Sequence, residues 1–238
     1  MSMTAKVFIG LVVLIVGIAV WFYIGLVMLV TPTKGMQIPQ YANPHKALLV
    51  IDIQEDSTGI TAKDSSPFKN DSEKLIMSVN QIIDEAARKN IAVLYVRQEF
   101  DGLRGKIISQ VTSDGVDIKG QPGTEIDRRV SIVSNNIFPK HISDAFSNPE
   151  LEACLTEYQV DEVYLVGIDA QYCVYSTAKG ALNRGYKVNL ITDATSMANK
   201  EKWDEQMKKY KQDGVHLITS GQFQAEEGTN KQTNTKIF

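Results

Sequence analysis

Residues 163–185 read VYLVGIDAQYCVYSTAKGALNRG, and this stretch decides the fold. Its first part is an apolar run containing the β-branched residues Val163 and Val166, which is typical of a buried strand, and the run ends at Gly167. A segment rich in small residues follows and favours a helix with Cys173 in its first turn. The pattern therefore predicts a strand, a tight turn and a helix, with a thiol at the helix N-terminus.

The position of Cys173 makes it a candidate nucleophile. The first N–H groups of a helix have no internal partner and the helix dipole is positive there, so a thiolate at that end is stabilised over the thiol. In open α/β sheets the reactive crevice also lies outside the carboxyl ends of the strands, where this turn falls. The alternative is a small buried hydrophobic residue. We assign that role to Cys154, which lies within an amphipathic segment.

Length and composition limit the class of protein. The chain has 238 residues, a net charge of −3 and two cysteines. This length suits one soluble domain of about 190 residues plus an appendage. Two cysteines require no disulfide framework, and the lack of a basic block argues against a nucleic-acid partner.

The appendage is N-terminal. Residues 7–30 contain no charged side chain, and as a helix they would extend about 36 Å, enough to cross a bilayer. A cleaved signal peptide would have a shorter apolar core and a small-x-small cleavage site. We predict an uncleaved, single-pass membrane anchor over residues 1–31 and a linker over 32–44. Positive charge is balanced on the two sides, so the orientation in the membrane is left open.

The remaining chain alternates between apolar runs and helical patterns. This alternation predicts a three-layer, doubly wound α/β domain over residues 45–223, with a mainly parallel six-stranded sheet, and a polar tail over 224–238. Residues 101–123 are rich in glycine and charge and read as a long excursion that covers a site. The predicted strands are residues 47–53, 91–96, 129–138, 163–167, 187–192 and 215–219, and the predicted helices include 70–90, 149–159 and 202–212.

Two charged residues at predicted strand ends are further site candidates. Asp52 closes the first apolar run, and a carboxylate there is costly to bury without a partner, so it is either a cap or turn residue or a functional group. Lys140 follows the third predicted strand, where a lysine can also be simply solvated. In the expected topology the carboxyl end of the third strand adjoins those of the first and fourth. Asp52, Lys140 and Cys173 can therefore converge.

Several short motifs, taken in order, carry a family resemblance. Over residues 47–221 the chain resembles the isochorismatase-like cysteine hydrolases, which include nicotinamidases and other amide-cleaving enzymes. The motifs are IDIQ at 51–54, VRQE at 96–99, PGTEI at 122–126, PK at 139–140, SDAF at 143–146 and GIDAQYCV at 167–174.

This resemblance implies roles for individual residues. The family's Asp, Lys and Cys triad matches Asp52, Lys140 and Cys173. The family also has a cis peptide shortly before the cysteine, here between Ile168 and Asp169, and an oxyanion hole formed by the backbone N–H groups of Asp169 and Cys173. The candidates for the substrate pocket are Gln54, Gln98 and Tyr172.

Departures from the family pattern narrow the expected chemistry. Nicotinamidases carry a metal-binding Asp and His cluster after the second strand, whereas that region reads RQEFDG here and the three histidines are scattered. We therefore expect no catalytic metal, no cofactor and no nicotinamidase activity. Family members that cleave the vinyl ether of isochorismate often lack the cysteine. Because this chain keeps it, we predict hydrolysis of a small amide-like C–N substrate through a thioester-type intermediate.

Two other interpretations stay open: isochorismate-type ether hydrolysis, and a catalytically inactive anchored scaffold of the same fold. The expected partners are a small-molecule substrate and the membrane. Family members commonly form dimers or tetramers, so a homo-oligomer is also expected, and the apolar residues of the excursion can serve such an interface.

Overall fold

The computed structural model describes residues 2–225, so most of the predicted polar tail, residues 226–238, lies outside the described part. Six strands form one sheet in which every neighbouring pair is parallel, in the order β3-β2-β1-β4-β5-β6. The predicted six-stranded α/β fold is thus confirmed. The strands are β1 (His45–Ile51), β2 (Ala92–Gln98), β3 (Ile137–Lys140), β4 (Val160–Gly167), β5 (Lys187–Thr195) and β6 (His216–Ile218).

Helices cover both faces of this sheet and produce three layers. The helices are α1 (Met3–Val30), α2 (Ser72–Arg88), α3 (Gly102–Thr112), α4 (Pro149–Glu157), α5 (Cys173–Leu182), α6 (Trp203–Gln212) and α7 (Ser220–Ala225). One core lies between the sheet and α4, α5 and α6, and a second between the sheet and α2 and α7. Because side chains alternate along a strand, Leu49 of β1 enters the first core and Leu48 enters the second.

The position of β3 differs from the expectation. It lies at the sheet edge and pairs with β2, so its end does not adjoin those of β1 and β4. The physical reason is that β2 and β4 already occupy both edges of β1. A third parallel strand can therefore add only beyond one of them.

Two segments also have different secondary structure from that predicted. The excursion at residues 101–123 contains an eleven-residue helix, α3. The strand predicted for residues 129–138 is reduced to the four residues of β3. Part of that segment is instead held by the Tyr95 hydroxyl, which donates to Ser131 O at 2.7 Å and accepts from Val133 N at 3.0 Å.

The N-terminal helix α1 is 28 residues long, with a mean hydropathy of 2.8 over its most apolar window. By length and composition it is a candidate membrane span, although a signal sequence would meet the same criterion. Its last turn contacts the domain. Leu29 O accepts from Ser143 N at 2.8 Å, and Val30 O accepts from Ser176 Oγ at 3.3 Å. The segment after α1 continues this contact, since Thr33 donates its N–H to Asp144 Oδ2 at 2.7 Å.

Gly167 ends β4 at the point where the chain turns towards α5. Its φ is 118°, and a Cβ atom there would lie 2.1 Å from Ile51 O on the neighbouring strand. This residue therefore combines a backbone conformation that L side chains rarely adopt with a close approach of two strands.

We expect Gly167→Ala to destabilise the domain more than a matched change at Gly214. Gly214 also has a positive φ, of 96°, but a Cβ there meets no atom within 4 Å. Gly214→Ala should cost about 1–3 kcal/mol from backbone strain alone. Gly167→Ala should cost about 1–3 kcal/mol more, because the added methyl overpacks the strand pair. Urea unfolding of the full chain in detergent measures both, and equal losses would contradict the packing argument.

Candidate active site

The end of β1 gives Asp52 its position. Asp52 has a φ of 54°, outside the strand conformation, and its N–H donates to Val96 O of β2 at 2.9 Å. The side chain is buried, with 6% of the residue exposed. A carboxylate at the end of an apolar strand requires a charged partner in such a place.

The structure brings Asp52, Lys140 and Cys173 together. Lys140 Nζ lies 2.9 Å from Asp52 Oδ2 and 3.3 Å from Cys173 Sγ. Lys140 is 1% exposed, so this ammonium is held almost entirely by protein groups. The predicted convergence of the three side chains is therefore observed.

Gln98 explains how a lysine from the edge strand reaches the middle of the sheet. It ends β2, between β3 and β1, and its Oε1 accepts from Lys140 Nζ at 2.6 Å. Gln98 therefore supports the lysine side chain where it passes the end of β2. Its own Nε2 is buried and has no hydrogen-bond partner among residues 2–225. Among the three pocket candidates, Gln98 is therefore the one with a buried donor left to bind a ligand.

The pKa of the Cys173 thiol is shifted in the direction opposite to the one that a helix N-terminus alone would produce. Burial raises the pKa of the Cys173 thiol to about 12, the Lys140 ammonium acts to lower it, and the Asp52 carboxylate acts to raise it. Burial is the largest of these three influences on the thiol. The raised pKa favours the thiol of Cys173 over the thiolate, so a neighbouring base would assist loss of its proton.

Asp52 and Lys140 form a tightly coupled buried pair. Burial alone would lower the pKa of Lys140, but Asp52 and Cys173 reverse this effect and hold the lysine protonated. Burial raises the pKa of the Asp52 carboxyl above its usual value, although Lys140 acts to lower it. A carboxylate with a raised pKa is a stronger base. Asp52 Oδ1 has no hydrogen-bond partner in the described range 2–225, so this oxygen can accept a proton.

The turn between β4 and α5 presents backbone donors near the sulfur. The Ile168–Asp169 peptide is cis. Tyr172 and Val174 both donate their N–H groups to Asp169 O, at 3.1 and 3.0 Å. Within the described residues, the N–H groups of Asp169 and Cys173 have no acceptor. These are the two donors that the family resemblance implies for an oxyanion hole.

The other two pocket candidates lie in different surroundings. Gln54 is fully buried, and both of its amide atoms bind protein groups: Nε2 donates to Gln98 O at 3.0 Å, and Oε1 accepts from Gln98 N at 2.6 Å. It joins the ends of β1 and β2 and presents no surface to a substrate. Tyr172 is 49% exposed and lines a cleft of about 660 Å³ between α5 and α6. The triad side chains do not line this cleft, but Tyr172 adjoins Cys173.

Asp117 is a buried carboxyl group that the sequence reasoning missed. Its Oδ1 accepts from Gln54 Nε2 at 3.2 Å. Burial raises the pKa of Asp117 well above its usual value, with a further contribution from the Asp52 charge. No signal in the sequence marked it, because an aspartate in a glycine-rich, charged segment is usually solvated.

The structure gives no basis for placing a metal ion. Among residues 2–225, no group of three or more His, Cys, Asp or Glu side chains is arranged to hold one. The absence of a catalytic metal stays a prediction.

The comparison with protein families identifies the class of protein. The isochorismatase domain model matches residues 46–222, about three quarters of the chain. The chain therefore belongs to the isochorismatase family.

Individual relatives agree with this assignment. Nicotinamidase 3 of Arabidopsis thaliana is 26% identical over 165 residues, which cover 65% of this chain and 75% of that protein. Streptothricin hydrolase of Streptomyces noursei is 27% identical, and the match covers 63% of this chain and 54% of that protein. The structure of an isochorismatase-like hydrolase from Alkaliphilus metalliredigens matches with a TM-score of 0.62 at 22% identity, covering 76% of this chain and 97% of that one.

The raised pKa of Cys173 predicts how fast it is alkylated at different pH values. Since iodoacetamide reacts with the thiolate, the rate at Cys173 should rise about tenfold per pH unit between pH 7 and 9. Asp52→Asn removes the negative charge that raises the pKa, so it should accelerate alkylation at pH 8. Mass spectrometry of the Cys173 peptide measures both rates, and the Cys154 peptide is the internal control. A plateau already reached below pH 7 would contradict the neutral thiol.

Proposed function

We propose that this protein is a membrane-anchored cysteine hydrolase that cleaves a small amide-like C–N bond with Asp52, Lys140 and Cys173. The observation that carries the proposal is the contact of one buried ammonium, Lys140 Nζ, with both Asp52 Oδ2 and Cys173 Sγ. Two curated relatives support the type of substrate: one is named a nicotinamidase and the other a streptothricin hydrolase.

In the first half of the reaction, Asp52 Oδ1 takes the proton of Cys173 as Sγ attacks the carbonyl carbon of the substrate. Lys140 compensates the negative charge of the sulfur during this step. The oxygen of the tetrahedral intermediate accepts from the N–H groups of Asp169 and Cys173. Asp52 then gives its proton to the leaving nitrogen, the C–N bond breaks, and an amine and a thioester at Cys173 remain.

In the second half of the reaction, water hydrolyses the thioester. Asp52, again a carboxylate, takes a proton from the water as its oxygen attacks the acyl carbon. The C–S bond breaks, the sulfur recovers that proton from Asp52, and a carboxylic acid leaves. The chain returns to its starting state, and the sum is amide plus water giving acid plus amine, with no redox step and no metal.

The buried donor of Gln98 gives the substrate a polar anchor. Its Nε2 is unpaired among the described residues while its Oε1 is fixed by Lys140, so the amide cannot rotate without breaking that contact. A substrate carbonyl or carboxylate oxygen that binds Nε2 would regain the hydrogen bond that the free enzyme lacks. We therefore place Gln98 in the substrate pocket.

The anchoring part of the proposal rests on α1. The helix is long enough to span a bilayer, and its most apolar window is not buried by the domain. We also propose a homo-oligomer, as expected for the family.

Replacing the nucleophile tests the mechanism. Cys173→Ala should reduce turnover of an amide panel at least about 10³-fold, because the covalent route is lost. Cys154→Ala is the matched control and should retain activity, since Cys154 lies on α4 and is not part of the Asp52, Lys140 and Cys173 cluster. Released amine is measured for the full chain in detergent, and quenched samples are analysed by mass spectrometry for an acyl adduct at Cys173. Full release of amine by Cys173→Ala would refute the mechanism.

A further inference from the structure

We propose that α3 is a membrane-surface helix whose exposed apolar face enters the interfacial layer of the bilayer that α1 spans. The proposal rests on the anchoring proposed above and adds a second element, within the catalytic domain, that binds lipid. Its partner is the lipid surface itself.

The first observation is the exposed face of α3. Leu103, Ile107 and Val111 are spaced four residues apart and are 77%, 37% and 63% exposed. At 100° per residue they form one stripe along the helix. Ser109, on the opposite side of α3, and Ile108, which flanks the stripe, are buried against the domain. The helix thus presents an apolar stripe that no described part of the chain covers.

The second observation is the contact of α3 with α1. The Arg104 guanidinium lies 5.1 Å from the centroid of the Trp21 ring. The same side chain passes Gly25, where a Cβ atom would lie 2.7 Å from Arg104 Nη2. On the helix, Arg104 lies about 20° from Val111, so the stripe and the α1 contact share one side of α3.

Helix length then places this contact at the membrane surface. A guanidinium is disfavoured in hydrocarbon, so the boundary of the hydrocarbon layer lies near Trp21. The helix from Met3 to Trp21 is about 27 Å long, close to the roughly 30 Å of a bilayer core, with Lys6 near the far boundary. Residues 22–30 then cross the interfacial layer and lead to the domain. With this placement, Trp21 and Tyr23 lie at the interface, where aromatic residues are enriched. The stripe of α3 lies at the same level.

The charge of α3 agrees with a lipid partner. Its sequence, GLRGKIISQVT, contains Arg104 and Lys106 and no acidic residue. α3 is only weakly amphipathic as a whole, but its two cations lie close enough to the exposed stripe to meet lipid phosphates if the stripe enters the interfacial layer. A second copy of the chain is the competing occupant, and the experiment below separates the two.

This arrangement would place the carboxyl ends of the strands, where the site lies, next to the membrane. Leu29 at the end of α1 binds Ser143, three residues after Lys140. Val30 binds Ser176, three residues after Cys173. The amino ends of the strands, such as the start of β5 at Lys187, would face water. The substrate would then reach the site from the layer next to the lipid headgroups.

Nitroxide labels on the full chain test the proposal. Single cysteines replace Leu103, Ile107 or Val111 in a background with Cys154→Ser and Cys173→Ser, and the protein is reconstituted in vesicles of phosphatidylcholine and phosphatidylglycerol. Collision rates with oxygen, which dissolves in lipid, and with a water-soluble nickel complex are compared by electron paramagnetic resonance. We expect all three labels to favour oxygen. Labels at Val13 in α1 and at Lys187 are the lipid and water controls.

The possible outcomes separate the α3 proposal, the anchoring by α1 and contact with a second copy of the chain. A lipid-facing Val13 label with water-facing labels on α3 would overturn the proposal and leave the anchor standing. A water-facing Val13 label would overturn the anchoring, and the proposal with it. If the α3 labels are shielded from both reagents and show dipolar broadening, a second copy covers the stripe and the proposal is wrong.

Discussion

The buried contact between Lys140 and Asp52 is the interaction on which the rest of the site depends. Transfer of a single charge into a protein interior costs several kcal/mol, so neither side chain is tolerated at this place without the other. The pair also determines which neighbouring groups can contact the ammonium and the carboxylate. Gln98 Oε1 and Cys173 Sγ accept the two remaining contacts of the ammonium, and one oxygen of the carboxylate has no hydrogen-bond partner among residues 2–225.

Much of the fold could be predicted from the sequence because buried parallel strands and amphipathic helices leave plain patterns. The apolar run that forms β1 and the small-residue segment that forms α5 both lie where they were expected. The convergence at the site could also be predicted, because the carboxyl ends of parallel strands share one edge. The hypothesis also assumed that the third strand adjoins the first and fourth, which is wrong, but the shared edge still brings Asp52, Lys140 and Cys173 together.

Other features depend on tertiary packing and could not be read in advance. Strand order is one, since the side of β1 on which a third strand adds is not encoded by its own residues. The state of Cys173 is another. A helix N-terminus favours a thiolate, whereas burial acts in the opposite direction, and only the structure shows that burial. Asp117 and α3 were missed because burial of a charge-rich segment has no local signature.

A double-mutant cycle on the buried pair tests the central claim most directly. Free energies of unfolding would be measured for Lys140→Met, Asp52→Leu and the double variant of the full chain in detergent. If the pair holds the site, each single change should cost about 3–5 kcal/mol, because it leaves an uncompensated charge, and the double change should cost less than either. Additive losses in the double variant would show that the two charges do not depend on each other, and would contradict the account.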